Sequence, residues 1–219
     1  MASINNYKPV LQKLQQSNGT TMLGNFGNDD PWQTLIATIL SARSRDETTE
    51  VVARELFAVY PDCASLAAAP VRKIEKLVKR SGFYKTKARR IINVSKILMA
   101  QYGGKVPADM DSLLALPGVG RKTASCVLVF AFSTSAIPVD THVHRISNRL
   151  GWVRTKTPEK TEFALRKLIQ ETDWLPINDL FVYHGKNICK PIRPLCTICS
   201  IEQYCAKRIK KKPGMRSRS

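Results

Sequence analysis

The chain has 219 residues, enough for one large or two small domains, and carries 35 Lys plus Arg against 17 Asp plus Glu, a formal net charge of +18. An excess of this size predicts a polyanionic partner, with nucleic acid ahead of an anionic membrane surface. The sequence shows neither a secretory leader nor an apolar run of about 18 residues, so we expect a cytoplasmic, DNA-associated protein rather than a secreted or membrane-spanning one.

Three segments come first along the chain. Residues 4–16 have the spacing of a short amphipathic helix, and residues 17–30, rich in Gly, Asn and Asp, have the composition of a linker. Pro31 then begins the segment PWQTLIATILSA, which is apolar on several faces. A helix with so little polar surface is typical of a protein interior, so we predict a buried central helix here.

A polar, basic loop over residues 42–46 follows the predicted central helix. Ser44 and Glu47 fit the S-x-x-E pattern of a capping box. The pattern predicts that Ser44 caps a second helix, which ends near Tyr60.

The densest basic segment spans residues 71–105 and contains one acidic residue, Glu75. Its apolar residues recur with a helical period, which predicts two helices separated by a turn at residues 81–84. A run of positive charge is commonly a solvated face, but the near absence of acids favours contact with a DNA backbone. Phe83, at the turn, is a candidate wedge into DNA, with a core position as the alternative. The basic residues are Arg72, Lys73, Lys76, Lys79, Arg80, Lys85, Lys87, Arg89, Arg90, Lys96 and Lys105.

A glycine hairpin precedes the helix that carries the chemistry. A short helix ends at Leu116, and the segment Pro117-Gly118-Val119-Gly120 stops it, because two glycines permit positive φ and close backbone approach. A new helix begins at Arg121, and its first N–H groups beside a glycine turn form a natural phosphate site. Lys122 lies in this first turn, where the helix dipole and Arg121 disfavour a protonated amine.

Asp140 lies 18 residues after Lys122. A helix over residues 121–132 is roughly 18 Å long. Residues 133–139 can span up to roughly 23 Å when extended, so the chain can return to the start of that helix. An amine and a carboxylate at two adjacent helix starts would form a nucleophile and an acid–base group. The alternative is a surface Lys and an Asp that only caps its helix.

Four cysteines fall within one short C-terminal segment with the spacing C-x6-C-x2-C-x5-C. Structural zinc sites usually show two short Cys pairs, and only one is present. Four thiolates in one loop therefore favour a cubane iron–sulfur cluster over zinc or disulfides. Two further cysteines, Cys63 and Cys126, are expected to be small buried residues. The clustered cysteines are Cys189, Cys196, Cys199 and Cys205.

Two further helices are predicted before this cysteine segment. One begins at Thr157-Pro158, with Pro at its first position, and the other covers residues 177–188. From Ala206 onward the chain is rich in basic residues with Pro, Gly and Ser, which is typical of a disordered tail that adds nonspecific DNA affinity.

These motifs resemble those of the endonuclease III family of helix-hairpin-helix DNA glycosylases. The family pattern LPGVGRKTA is followed, at the same separation, by VDTH, which here is residues 139–142. The cysteine spacing is similar to that of the family's [4Fe–4S] loop, and the resemblance extends over nearly the whole chain. It implies an all-α, two-lobed fold. The implied domains are a six-helix barrel over 24–134 and a helical domain of 1–23 plus 135–219, with the cluster loop at 189–205 and the basic tail at 206–219.

The resemblance also implies a function. It is that of a bifunctional base-excision-repair glycosylase and abasic-site lyase, which removes oxidised pyrimidines and cleaves the strand by β-elimination. The family's catalytic lysine falls on Lys122 and its catalytic aspartate on Asp140. The implied partner is double-stranded DNA containing damaged bases or abasic sites, and we expect a monomer without membrane contact.

Eight residues are predicted to contact DNA. In the family, the loop after the central helix carries a residue that enters the space left by a flipped base. Arg43 holds that place in this chain, where the family usually has Gln, and an Arg can also fill such a gap. The cluster is expected to pin a basic loop so that its cations meet phosphates. The predicted contacts are Arg43, Phe83, Gly118, Val119, Gly120, Arg121, Lys190 and Arg193.

Two alternative functions are considered. One is a mismatch-specific glycosylase of the same fold, whose monofunctional members lack the catalytic lysine. The other is a noncatalytic DNA-binding or electron-transfer iron–sulfur protein. Neither binding nor electron transfer requires both Lys122 and Asp140, so the pair favours an enzyme.

Overall fold

A computed structural model describes residues 7–17 and 30–209 of the chain. These residues form α-helices and short 3₁₀ turns without a β-strand, which confirms the predicted all-α fold. Most of the predicted linker and the tail beyond residue 209 lie outside the described residues. The prediction that the disordered tail begins at Ala206 is wrong for its first residues, because the Ala206 N–H donates to the Leu150 carbonyl and the Arg208 N–H to the Arg149 carbonyl, each at 3.2 Å. The helices are α1 Tyr7–Gln16, α2 Pro31–Ser41, α3 Asp46–Val59, α4 Cys63–Ala67, α5 Val71–Leu77, α6 Tyr84–Tyr102, α7 Met110–Ala115, α8 Arg121–Phe132, α9 Thr141–Leu150, α10 Pro158–Leu168 and α11 Ile177–Asn187.

The chain forms two compact units. The first unit combines Met1–Gly19 with Val139–Ser219, and the second is Thr20–Pro138. In the described residues, no helix is long and apolar enough to cross a bilayer.

Helix α2 is the centre of the second unit. Asp30 caps it by accepting a 2.8 Å hydrogen bond from the Trp32 N–H, and Pro31 occupies the first helical position. Leu35, Ile36 and Leu40 are fully buried. The helix packs against α3, α6 and α8, so the prediction of a buried central helix is confirmed.

The predicted capping box at Ser44 is wrong. Helix α3 begins at Asp46, its N-cap is Arg45, and no side chain makes the capping hydrogen bond. Asp46 and Glu47 instead lie in the first turn, where the helix dipole favours negative charge. The Ser44 hydroxyl is used for contacts with a distant loop, which no local pattern encodes.

The first unit is built around α9 and α11, which pack against each other. Helix α10 packs on α9, and the N-terminal helix α1 packs on α11. Tyr7 in α1 ties the N-terminal segment to the later part of this unit, since its hydroxyl donates to Asp173 at 3.1 Å and accepts from the Gln170 N–H at 3.3 Å.

Candidate functional site

The hairpin between α7 and α8 has the predicted glycine geometry. Leu116 ends α7, its carbonyl accepts from the Val119 N–H at 3.1 Å, and Gly118 adopts φ +76°. Val119 is buried and anchors the turn. The positive φ favours glycine, and a Cβ added at Gly118 would overlap the Arg90 side chain, which would have to move.

Gly120 differs from Gly118, because no contact with the described residues requires a glycine there. It is the N-cap of α8 with φ −98° and ψ 174°, a conformation open to other residues. Apart from its two chain neighbours, no described residue has an atom within 4 Å of the position that its Cβ would take. The open space at the positive end of α8 is therefore of the kind that admits an anion.

Lys122 is the second residue of α8, directly after this hairpin, and it is half-buried beside Arg121. The first backbone hydrogen bond at this end of the helix runs from the Ala124 N–H to the Gly120 carbonyl at 2.9 Å. Residues 124–129 are buried, so this part of the helix rests on the core while its first turn stays accessible.

Asp140 caps α9 in the first unit. Its Oδ1 accepts both the His142 and the Val143 N–H, each at 2.8 Å. The cap uses one carboxylate oxygen and fixes the orientation of the second, Oδ2, which the cap does not use. Capping and a chemical role are therefore compatible in this residue.

The structure brings together the two predicted wedge residues. Arg43 lies in the loop of residues 42–45, the Arg43 loop, and Phe83 in the loop of residues 81–83, the Phe83 loop. Both residues have positive φ, 55° and 59°, which is uncommon outside glycine. The Arg43 guanidinium carbon stands 5.2 Å from the centroid of the Phe83 ring, within cation–π range. Phe83 is 62% exposed, so its alternative reading as a core residue is wrong.

Hydrogen bonds also join these two loops. Ser44 Oγ accepts from the Gly82 N–H at 3.1 Å and from Lys87 Nζ at 2.8 Å. The Lys87 ammonium also donates to the Leu40 carbonyl at 2.7 Å, in the last turn of α2. Burial lowers the pKa of Lys87 to about 8.

The prediction that the basic residues of 71–105 form one solvated or DNA-facing surface is wrong for Lys87. It is 3% exposed, whereas Arg90 is half-buried beneath the hairpin and the other predicted cations of this segment are exposed. The two-helix prediction itself is confirmed, because α5 and α6 flank the turn.

The four clustered cysteines line one pocket in the first unit, and none of the six cysteines forms a disulfide. Among the described residues, no three His, Cys, Asp or Glu side chains are placed to hold a single metal ion. Four thiols around one pocket fit a cluster held by four cysteines. Cys63 and Cys126 are buried, as predicted.

The surroundings of these cysteines fit a negatively charged cluster. Arg149 Nη1 donates to Cys189 Sγ at 3.3 Å, and the Lys207 N–H donates to Cys205 Sγ at 3.3 Å. Burial raises the pKa of the Cys199 and Cys205 thiols, so bound metal ions would be needed to hold them as thiolates.

Two arginines of α9 organise the cluster loop, and sequence reasoning missed both. Arg149, which is buried, donates to the Lys190 carbonyl at 2.7 Å and to the Pro191 carbonyl at 2.9 Å. Arg145 Nη2 donates to the Cys189 carbonyl at 2.9 Å. These contacts leave Lys190 and Arg193 exposed at the protein surface.

Comparison with known proteins identifies relatives that match most of the chain. A family model described as "HhH-GPD superfamily base excision DNA repair protein" matches residues 36–171. The chain is 52% identical to endonuclease III of Thermotoga maritima over 83% of its own length and 85% of the relative.

Two solved structures agree with the sequence relationship. A non-covalent endonuclease III–DNA complex has a TM-score of 0.86 and 33% identity, with 94% of this chain and 97% of that chain covered. A trapped endonuclease III–DNA covalent intermediate has a TM-score of 0.84 and 32% identity, with the same coverage. The predicted helix-hairpin-helix glycosylase fold is thereby confirmed.

Proposed function

Because this chain belongs to the endonuclease III family of the HhH-GPD superfamily of base excision DNA repair proteins, we propose a role for each of its site residues in that family's chemistry. The protein is a bifunctional DNA glycosylase and abasic-site lyase that acts on double-stranded DNA. The observation that carries the assignment of roles is the position of Lys122, in the accessible first turn of α8 directly behind the glycine hairpin.

Lys122 is the nucleophile in this proposal. Its neutral amine attacks C1′ of the damaged nucleotide, so that the bond between Lys122 Nζ and C1′ forms while the glycosidic bond breaks and the base leaves with a proton. The C1′–O4′ bond then breaks as O4′ takes up a proton, which gives a protonated imine between Lys122 and the opened sugar. The imine acidifies the C2′ protons, so removal of one of them expels the 3′ phosphate and cleaves the strand.

Asp140 is the acid–base group. Its carboxylate accepts the proton that the attacking amine loses and stabilises the positive charge that develops on the sugar. The double N–H cap on Oδ1 holds the side chain in one orientation, which lowers the cost of ordering it during the reaction. The proposal requires Lys122 and Asp140 to reach the same flipped nucleotide.

The hairpin holds the DNA backbone. Gly118, Val119 and Gly120 shape the turn, and the open space beside Gly120 admits a phosphate to the start of α8, next to Arg121. The exposed cations of residues 71–105, together with Lys190 and Arg193, would add phosphate contacts without reading the base sequence.

A base inside the duplex is inaccessible, so the damaged nucleotide must be flipped out before Lys122 can reach it. Arg43 and Phe83 are the residues that would enter the DNA stack. An exposed aromatic ring supplies a stacking surface, and a guanidinium supplies hydrogen-bond donors for the base that loses its partner.

Cys189, Cys196, Cys199 and Cys205 would hold a [4Fe–4S] cluster. When bound, the cluster supplies a rigid, redox-capable centre that ties four points of the loop together. Arg149 and Arg145 orient the same loop from α9, and the loop presents Lys190 and Arg193. We propose that the barrel domain covers residues 24–134 and that the cluster domain combines residues 1–23 with 135–219.

We further propose oxidised or ring-saturated pyrimidines as the substrates. The test is a panel of duplexes, each with one lesion: an oxidised pyrimidine, a T·G mismatch, adenine opposite an oxidised guanine, or an abasic site. We expect excision followed by strand cleavage for the oxidised pyrimidine and cleavage at the abasic site. Preference for the mismatch, with excision but no strand cleavage, would contradict the proposal and favour the mismatch-glycosylase alternative.

A further inference from the structure

We propose that Lys87 is a positioning residue that couples Arg43 and Phe83 into one preformed wedge for the DNA stack. The inference rests on the proposed function, because it takes these two residues to be the ones that enter DNA. It concerns a lysine that makes no contact with DNA itself and that acts through the two loops it joins.

The first step is that the conformation of each loop needs support. Arg43 and Phe83 are both exposed, and both hold a left-handed backbone conformation that a residue with a side chain disfavours. Two exposed loop tips would ordinarily relax from such conformations. Their persistence, with the guanidinium over the ring, requires an anchor beneath them.

Lys87 supplies that anchor to both loops. Its Nζ donates to the Ser44 hydroxyl and to the Leu40 carbonyl, which fixes the start of the Arg43 loop. Its backbone N–H donates to the Phe83 carbonyl at 3.1 Å, the first helical hydrogen bond of α6, so the Phe83 loop ends in the turn that carries Lys87. The Lys87 ammonium group therefore ties the Arg43 loop to the helix start at which the Phe83 loop ends.

Ser44 and Gly82 complete the joint. The Ser44 hydroxyl accepts from the Gly82 N–H as well as from Lys87, so it bridges the two loops directly. A Cβ at Gly82 would come to 3.0 Å from the Arg43 carbonyl oxygen, closer than ordinary packing allows. The loops approach so closely that a rearrangement of one must move the other.

The chemistry of Lys87 points to positioning rather than stability. Both acceptors of its ammonium group are neutral, a carbonyl and a hydroxyl, and the group is removed from water at 3% exposure. Burying a charge against neutral acceptors is unfavourable relative to a well-packed apolar side chain of similar size. A directional donor can hold two loops in a single arrangement, which an apolar side chain cannot do.

The test uses full-length Lys87→Met, Arg43→Ala and Phe83→Ala, the two double variants of Lys87→Met with each alanine change, and Lys160→Met as the control. Lys160 is an exposed lysine in the first turn of α10, outside the residues to which a DNA contact is assigned. The first readout is 2-aminopurine fluorescence on the strand opposite a tetrahydrofuran abasic analogue, which cannot form an imine. The second is single-turnover excision of a paired oxidised pyrimidine.

We expect Lys87→Met to lose most of the fluorescence rise that wild type and Lys160→Met give on binding, and to slow excision about 10- to 100-fold. Adding Arg43→Ala or Phe83→Ala to Lys87→Met should then slow excision little further, because the wedge is already disordered. A full fluorescence rise in Lys87→Met would overturn the inference. So would double variants whose fold-reduction in excision rate equals the product of the reductions in the two single variants.

Two further outcomes separate this inference from its premises. If Arg43→Ala and Phe83→Ala both keep the fluorescence rise and the excision rate, the wedge assignment is wrong. The inference about Lys87 is then wrong as well, because it depends on that assignment. If wild type excises no lesion, the substrate proposal fails, while the fluorescence comparison still decides the role of Lys87. Should Lys87→Met fail to fold, Ser44→Ala removes the same bridge without changing the buried lysine, and the same results are expected from it.

Discussion

Replacing Gly120 with Ala should weaken DNA binding without destabilising the protein. Gly120 has φ −98° and ψ 174°, and its added methyl group would meet no described residue within 4 Å apart from its two chain neighbours. Alanine lowers the entropy of the unfolded chain, which stabilises the protein by about 0.4–1 kcal/mol. Alanine is also a poorer N-cap than glycine, at a cost of similar size. The free energy of unfolding should therefore change by no more than about 0.5 kcal/mol.

The same methyl group would occupy the space through which a phosphate reaches the start of α8. Losing one charge-assisted hydrogen bond costs about 1.5–3 kcal/mol. That loss corresponds to a roughly 10- to 150-fold weaker Kd. The assays are urea unfolding, and fluorescence anisotropy with a duplex that contains an uncleavable abasic analogue.

Gly118→Ala is the matched control at the other glycine of the hairpin. Its φ of +76° predicts a stability loss of about 1–2 kcal/mol from the backbone alone, and the adjacent Arg90 side chain would also have to move. If Gly120→Ala binds the duplex within twofold of wild type, no phosphate is held at this helix start, and the proposed role of the hairpin fails.

Three further outcomes follow from the site. Cys199→Ser should lose bound iron and the visible absorption of an iron–sulfur cluster, measured by metal analysis and spectroscopy; native protein with one zinc and no iron would contradict the cluster. Asp140→Asn should slow single-turnover excision about 10²–10⁴-fold. It should leave the free energy of unfolding unchanged, because Asn can still accept both capping N–H groups, whereas Asp140→Ala should lower that free energy by about 1 kcal/mol. The free energy of unfolding of wild type, measured relative to Lys87→Met, should rise by about 2 kcal/mol between pH 7 and 9.5. Lys87 has a pKa of about 8 in the folded state and 10.5 in the unfolded state, so the unfolded state binds more protons over this range. A difference that does not change with pH would refute the burial effect.

The elements that sequence reasoning predicted well depend on neighbouring residues. Helix α8 begins at Arg121 and ends at Phe132, as the glycine turn and the apolar run predict. Helix α10 begins at Pro158 after its Thr157 cap for the same reason. Turn, cap and periodicity signals act over a few residues, so a single sequence carries them.

The features that sequence reasoning missed depend on partners far along the chain. Ser44 has the local signature of a cap, but its hydroxyl accepts hydrogen bonds from Gly82 and Lys87, which lie 38 and 43 residues away. Lys87 belongs to a dense run of surface cations, and only the approach of the α2 carboxyl end makes it a buried donor. Arg149 meets Cys189 across 40 residues, so its contact with the cluster loop has no local signal.

The most direct test of the central claim is borohydride trapping on a duplex with an abasic site. Reduction converts the imine between a lysine amine and the sugar into a permanent protein–DNA adduct, so the assay detects a covalent nucleophile and ignores a phosphate-binding charge. Wild type and the neighbouring control Arg121→Gln should both form the adduct, the control more slowly. Lys122→Gln should bind the duplex and form none. An adduct from Lys122→Gln at the wild-type rate would show that another amine is the nucleophile and would contradict the account.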